Sequence, residues 1–208
     1  MNIRKIMFCG MLLFASVLSS AVPLRAENLR GILWETGRRI GLNPIATLEL
    51  LARVESNLNP LAIHLSSRSS LKPILQGAGV PHTSYLARGR YHYSLSPRSR
   101  QQAEAVLRWA AKHREISYDV GLLQIWRGNV ESRGLDPLDL LDPIKNALVG
   151  GLIFRECHDR YGEFWRAVEC YHHGHYKGRT TYYSRNVYRA IQAMLQEYRA
   201  AASGSPAS

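Results

Sequence analysis

The chain has 208 residues, 46% of them hydrophobic, which is enough apolar content to bury a sizeable core as one domain and excludes a chain without a core. Lysine and arginine number 27 against 16 aspartate and glutamate, a formal charge of +11. That balance suits a polyanionic partner and does not choose among nucleic acid, anionic lipid and an acidic cell wall.

Arg4 and Lys5 precede an apolar run from Ile6 to Leu18, followed by small residues at Ser19, Ser20 and Ala21. This is the layout of a secretory signal peptide, with a run too short for a comfortable membrane span. Cleavage is expected after Ala21 or Ala26, retention as an anchor being the alternative, so residues 1–26 are set apart as a leader. Phe8 before Cys9 speaks against lipid attachment there. Loss of Arg4, Lys5 and Arg25 leaves 24 basic and 16 acidic residues, net +8. Export places the rest of the chain in an oxidising space, the periplasm, possessing two cysteines, Cys157 and Cys170.

Leu29, Ile32, Leu33, Thr36 and Ile40 form a helical stripe ending near Gly41. Asn43-Pro44 then reads as a helix start, an N-cap followed by proline at the first helical position. In that helix Leu48, Leu51 and Ala52 share a face with Glu55, whereas Glu49 and Arg53 lie on the far side, paired in water at i,i+4 spacing. Ser56-Asn57-Leu58-Asn59-Pro60 stops the helix, so Glu55 sits in its last turn. Burial and the negative helix end both disfavour a charge there, the setting in which a carboxyl donates a proton in catalysis. A buried glutamate paired with an arginine is the other reading of the same pattern.

From Leu61 to Ser96 glycine, proline and polar residues break the helical period, and Tyr91-His-Tyr-Ser-Leu alternates like a small hairpin strand. Ser96-Pro97 opens a helix through about Lys112. Tyr118 to Trp126 is a compact apolar run. Asp142-Pro143 opens a helix to about Tyr161, in which Gly150 and Gly151 imply the close approach of a neighbouring backbone. Phe164 to Tyr171 is a short helix ending before Gly174, and Tyr183 to Tyr198 is the last. Residues 27–199 thus form a mainly α domain with a small irregular or β-hairpin insert, and residues 200–208 a disordered tail.

Four segments, in order, resemble the soluble lytic transglycosylase domain family, which is lysozyme-like. They are Glu55-Ser56, Gly121-Leu-Leu-Gln124-Ile125, Asp142-Pro143-x-x-Asn146 and Ala167-Val-Glu-Cys-Tyr171-His-His-Gly174. Tyr183-Ser-Arg-Asn-Val187 resembles the family's closing motif. The 61 residues from Asn57 to Ser117 that part the first two motifs, together with Pro60-Leu-Ala-Ile63, are similar to the specialised members serving conjugation, pilus and secretion machines. His172 stands where the family has asparagine, which makes that contact pH-dependent, and Trp126 stands where asparagine is frequent.

The resemblance implies a peptidoglycan-cleaving enzyme with Glu55 as the catalytic acid, acting on the bond between N-acetylmuramic acid and N-acetylglucosamine. The substrate's own C6 hydroxyl is the nucleophile, so neither water nor a cofactor is needed. It further implies that Ser56, Gln124, Tyr171 and His172 meet the sugar, that Tyr183 orients Glu55, and that Gly121 and Gly174 meet backbone requirements. Glycan strands, and an envelope-spanning complex, are the implied partners rather than nucleic acid. Asp119 has two readings, a loop cap or a second carboxylate that would make the enzyme a hydrolase. Cys157 and Cys170 fall on consecutive helices, where a helical hairpin and export favour a disulfide. A metal site built from Cys157, His158, Cys170, His172, His173 and His175 fits no zinc spacing.

Overall fold

The computed structural model describes residues 26–203. The expected leader, apart from Ala26, and residues 204–208 of the expected tail lie outside the described residues. Among the described residues there are eight α-helices and five short strands. α1 (Ala26–Arg39) and α2 (Thr47–Ser56) come first, then β1 (Ile63–Ser67), α3 (Lys72–Gly77), β2 (His82–Ala87), β3 (Arg90–Leu95) and α4 (Arg100–Lys112). β4 (Ser117–Val120), β5 (Ile125–Trp126), α5 (Arg127–Ser132), α6 (Pro143–Tyr161), α7 (Phe164–His173) and α8 (Tyr182–Ala202) complete the domain. The expected mainly α, lysozyme-like domain is what the chain forms. The insert is more regular than expected: β2 and β3 make the hairpin, within an antiparallel sheet ordered β2-β3-β1-β4-β5.

α6 is the central helix. Asp142 caps it, its carboxylate accepting from the Ile144 and Lys145 amides, and Pro143 occupies the first turn. It packs against α1 and α7, and α2 lies between α1 and α8. Gly150 and Gly151 do mark close approaches, but to side chains rather than to a backbone: Leu123 packs on the first, Ile40 and Leu48 on the second. Cys157 of α6 and Cys170 of α7 are joined by a disulfide.

Two expectations about α2 are corrected. Asn43-Pro44 does not open it; Pro44 lies in a turn whose carbonyl accepts from Thr47 Oγ1 at 2.6 Å, and the helix begins at Thr47. Glu49 is not solvated but fully buried. Its far side of α2 is covered by α1 and α8, and the carboxylate accepts from Arg30 (3.0 Å), Trp34 (2.7 Å), Arg53 (2.8 Å) and Tyr198 (3.3 Å). The i,i+4 pair with Arg53 is therefore real but buried on one side. A smaller shift affects α4, which is capped by Ser99 rather than Ser96. The helix α8 runs on to Ala202, into the stretch expected to be tail.

α2 stops where the sequence predicts. Asn57 and Leu58 take left-handed backbone angles, and their amides return to the Arg53 and Ala52 carbonyls. Glu55 is thereby placed in the last turn, next to the Ser56 that is bonded to the turn after β4.

Candidate active site

Glu55 lies in a groove of about 630 Å³ between the sheet and the helices α2, α6 and α7. Its side chain is 13% exposed. Tyr183, at the start of α8, donates its hydroxyl to Glu55 Oε1 at 2.5 Å. Among the described residues Oε2 takes no hydrogen bond, which leaves that oxygen for a ligand. Burial first, and then the Glu55 charge, hold the Tyr183 phenol well above its ordinary value, so the hydroxyl stays a donor at neutral pH.

His172 stacks flat on the Tyr183 ring, with centroids 4.0 Å apart and 7° between planes. Its Nδ1 is 3.9 Å from Glu55 Oε1, and its Nε2 is 3.2 Å from the Tyr182 hydroxyl. The imidazole therefore lines the groove beside the carboxyl. Tyr171 lines it too, but its hydroxyl is spent on the Leu123 carbonyl at 2.6 Å. Burial, then Glu55, then Asp119 push that phenol well up, which keeps the bond to Leu123 intact.

Ser56 does not reach the groove lining, contrary to the role implied for it. Its Oγ faces the Leu122 carbonyl at 2.8 Å and the Ala52 carbonyl at 3.1 Å, fastening the end of α2 to the turn after β4. Gln124 is in the groove, but its amide nitrogen donates to the Ala62 (3.1 Å) and Gly121 (2.8 Å) carbonyls, so only its oxygen is left for a sugar. The turn 121–124 is clamped from several sides. Asn146 of α6 accepts from the Leu123 amide and donates to the Val120 and Leu140 carbonyls, all at 2.9 Å. Gly121 has φ +80°, and a side chain there would collide with Asn146 and the Leu140 carbonyl. Gly174, at φ +77°, ends α7 in open space, so its requirement is conformational alone.

The opposite wall is the polar face of the sheet, where sequence reasoning placed little. His64, Tyr85, Ser94, Asp119 and Trp126 line it. Asp119 is on β4, not in a loop, and its Oδ2 lies 2.8 Å from His64 Nδ1. The signal for this wall was the alternation Ile63-His64-Leu65 and Tyr118-Asp119-Val120, whose apolar members are buried. Trp126 donates to Ser117 Oγ at 3.0 Å, and Asn129, Glu156 and Arg160 line the same groove. The cysteines of the rejected metal reading are occupied by their disulfide, and among the described residues no group of three or more His, Cys, Asp or Glu side chains is arranged to hold a metal ion.

A carboxyl with one oxygen held by a buried phenol and the other facing a groove is suited to proton transfer with a bound ligand. Comparison with curated proteins and with solved structures finds no match. The family model described as the transglycosylase SLT domain matches residues 38–192, from the end of α1 into α8, and takes in every side chain of the groove. The chain belongs to the transglycosylase SLT domain family.

Proposed function

We propose that the protein is a periplasmic peptidoglycan lytic transglycosylase that cleaves the β-1,4 bond between N-acetylmuramic acid and N-acetylglucosamine and leaves 1,6-anhydro-muramic ends. The observation that carries this reading is the carboxyl of Glu55 in the groove lining, fixed by Tyr183 through one oxygen and open through the other. In the proposed reaction Glu55 protonates the glycosidic oxygen, and the bond from that oxygen to the anomeric carbon breaks. The muramic C6 hydroxyl closes on the same carbon, and its proton returns to the Glu55 carboxylate. Atoms balance without water, and an attack within one sugar ring benefits from high effective molarity. Tyr183 supports the carboxylate while it is charged, and His172 and the Gln124 oxygen are placed to meet the sugar.

The leader-like first residues support export. The long separation between the first two motifs folds as β1, α3, the β2–β3 hairpin and α4, and supports a specialised enzyme that opens local gaps in the wall for a conjugation, pilus or secretion machine. A second reading, a hydrolytic muramidase, is favoured by one observation: Asp119 lines the same groove as Glu55. Its Oδ2 is taken by His64, which favours the first reading.

The test is digestion of purified sacculi followed by mass spectrometry of the muropeptides. Anhydro ends are expected from the parent protein, and reducing ends would move the assignment to a hydrolase. Glu55→Gln is expected to abolish release while the protein still binds sacculi. Undiminished lysis by that variant would retire the mechanism, and binding without any lysis by the parent would make the protein a wall-binding factor.

A further inference from the structure

The sheet turns Ile63, Leu65, Tyr93, Leu95, Tyr118 and Val120 to the core. The alternate positions form its groove face. There Thr83, Ser94, His64, Asp119 and Trp126 are successive cross-strand partners, one from each of the five strands. At about 4.8 Å per strand this row runs roughly 19 Å, longer than a single sugar ring at Glu55 requires.

Two residues along from Thr83 and Ser94, Tyr85 and His92 are cross-strand partners on the same face. Their rings stack with centroids 4.8 Å apart and 5° between planes. His92 Nδ1 lies 3.3 Å from His64 Nε2, and His64 Nδ1 lies 2.8 Å from Asp119 Oδ2. One order satisfies every group of this chain. The Asp119 carboxylate can only accept, so His64 carries its proton on Nδ1; in the neutral ring Nε2 is then an acceptor, and His92 donates to it. One carboxylate thus orients two imidazoles, and the second imidazole seats the tyrosine. Tyr85 nevertheless remains 57% exposed and lines the groove. A flat aromatic ring held rigid at little entropic cost, in a groove that leads to Glu55, matches the C–H face of a pyranose.

Resting on the glycan-cleaving reading of the groove, we propose that Tyr85 is a sugar-stacking platform, locked by the Asp119–His64–His92 chain, that takes a pyranose ring of the glycan strand away from the scissile bond. Tyr85 is a binding residue, and His92 and His64 are positioning residues.

The test uses the full chain with Glu55→Gln, titrated calorimetrically with a soluble oligosaccharide of alternating N-acetylglucosamine and N-acetylmuramic acid. Adding Tyr85→Ala is expected to weaken binding about tenfold, the scale of a stacked aromatic contact. Tyr85→Phe is expected to restore binding, and His92→Ala to reproduce part of the loss. In the active protein Tyr85→Ala should raise KM far more than it changes kcat. Equal affinity of the Tyr85→Ala and parent proteins, or no binding by the parent, overturns the platform. Cleavage that survives Glu55→Gln counts against the catalytic reading and leaves the platform to its own binding data.

Discussion

The Glu55 carboxyl depends on a single hydroxyl. Tyr183 is buried, its ring is stacked by His172, and its phenol meets no other acceptor than Glu55 Oε1 among the described residues. Tyr183→Phe keeps the ring and the stack but removes a hydrogen bond to a charged group, worth about 1.5–3 kcal/mol. In the proposed reaction that bond matters most in the step in which Glu55 has given up its proton. The variant is therefore expected to lose roughly 10–150-fold in kcat on a soluble glycan, with KM shifting much less. Steady-state kinetics check this, and a loss confined to KM would reassign Tyr183 to substrate binding. That Glu55, Tyr171, His172 and Tyr183 gather at one groove could be expected from the sequence, because each stands in a motif with local spacing. The work done by Ser56 and Gln124 could not, since besides a local carbonyl each holds one more than 60 residues away, Leu122 and Ala62 respectively. A hydroxyl or an amide in a motif does not disclose whether it will meet a ligand or a distant backbone.

At the level of elements, the turn after β4 is the joint at which α2, α6, α7 and the sheet meet, and Asn146 is its buried pin. Asn146→Ala leaves the Leu123 amide and the Val120 and Leu140 carbonyls buried without their side-chain partner. Each such group costs about 1–3 kcal/mol. Partial relaxation holds the expected loss near 3 kcal/mol, read as a lower urea midpoint with an unchanged m-value. A loss below about 1 kcal/mol would mean that the turn is held by Ser56, Tyr171 and Gln124 without it. α6 itself could be read almost to the residue, because its cap, its first-turn proline and Gly162 at its end are local signals. The start of α2 and the burial of Glu49 were not legible: both depend on α1 and α8 closing over the helix, which no window of a dozen residues contains. The sheet was half legible for the same reason. Tyr91 to Leu95 alternates long enough to be seen, but β5 is two residues long and exists only through its pairing with β4.

Over the whole molecule, the groove divides a sheet wall from a helical wall, and each carries an imidazole that resists protonation. His92 is held below the ordinary imidazole value of 6.5 by burial, then by His64 and Arg90. His173 is held below it by burial, then by His172 and Lys177. Asp119 and Glu169 pull the other way but do not prevail. The sign of the linkage follows: with folded values below 6.5, the unfolded chain binds more protons as the medium acidifies, so stability is fully present above about pH 6.5 and is lost as pH falls through the folded values. Glu169 is a separate matter. Burial alone would raise it, but hydrogen bonds from Ser184 and Thr181 outweigh burial and hold it below 4.5, so its contribution is lost only in stronger acid. The chain already carries a formal +11, which makes each added proton less welcome. The expected outcome is a melting temperature that declines between pH 7.5 and pH 5.5, before any carboxylate of the Glu169 kind titrates. Joint replacement His92→Asn and His173→Asn should flatten that decline while leaving the fall below pH 4.5 in place. Differential scanning calorimetry across the range decides it: a parent profile flat from pH 7.5 to 5.5, or a double variant with the parent's slope, would place the acid sensitivity elsewhere in the molecule.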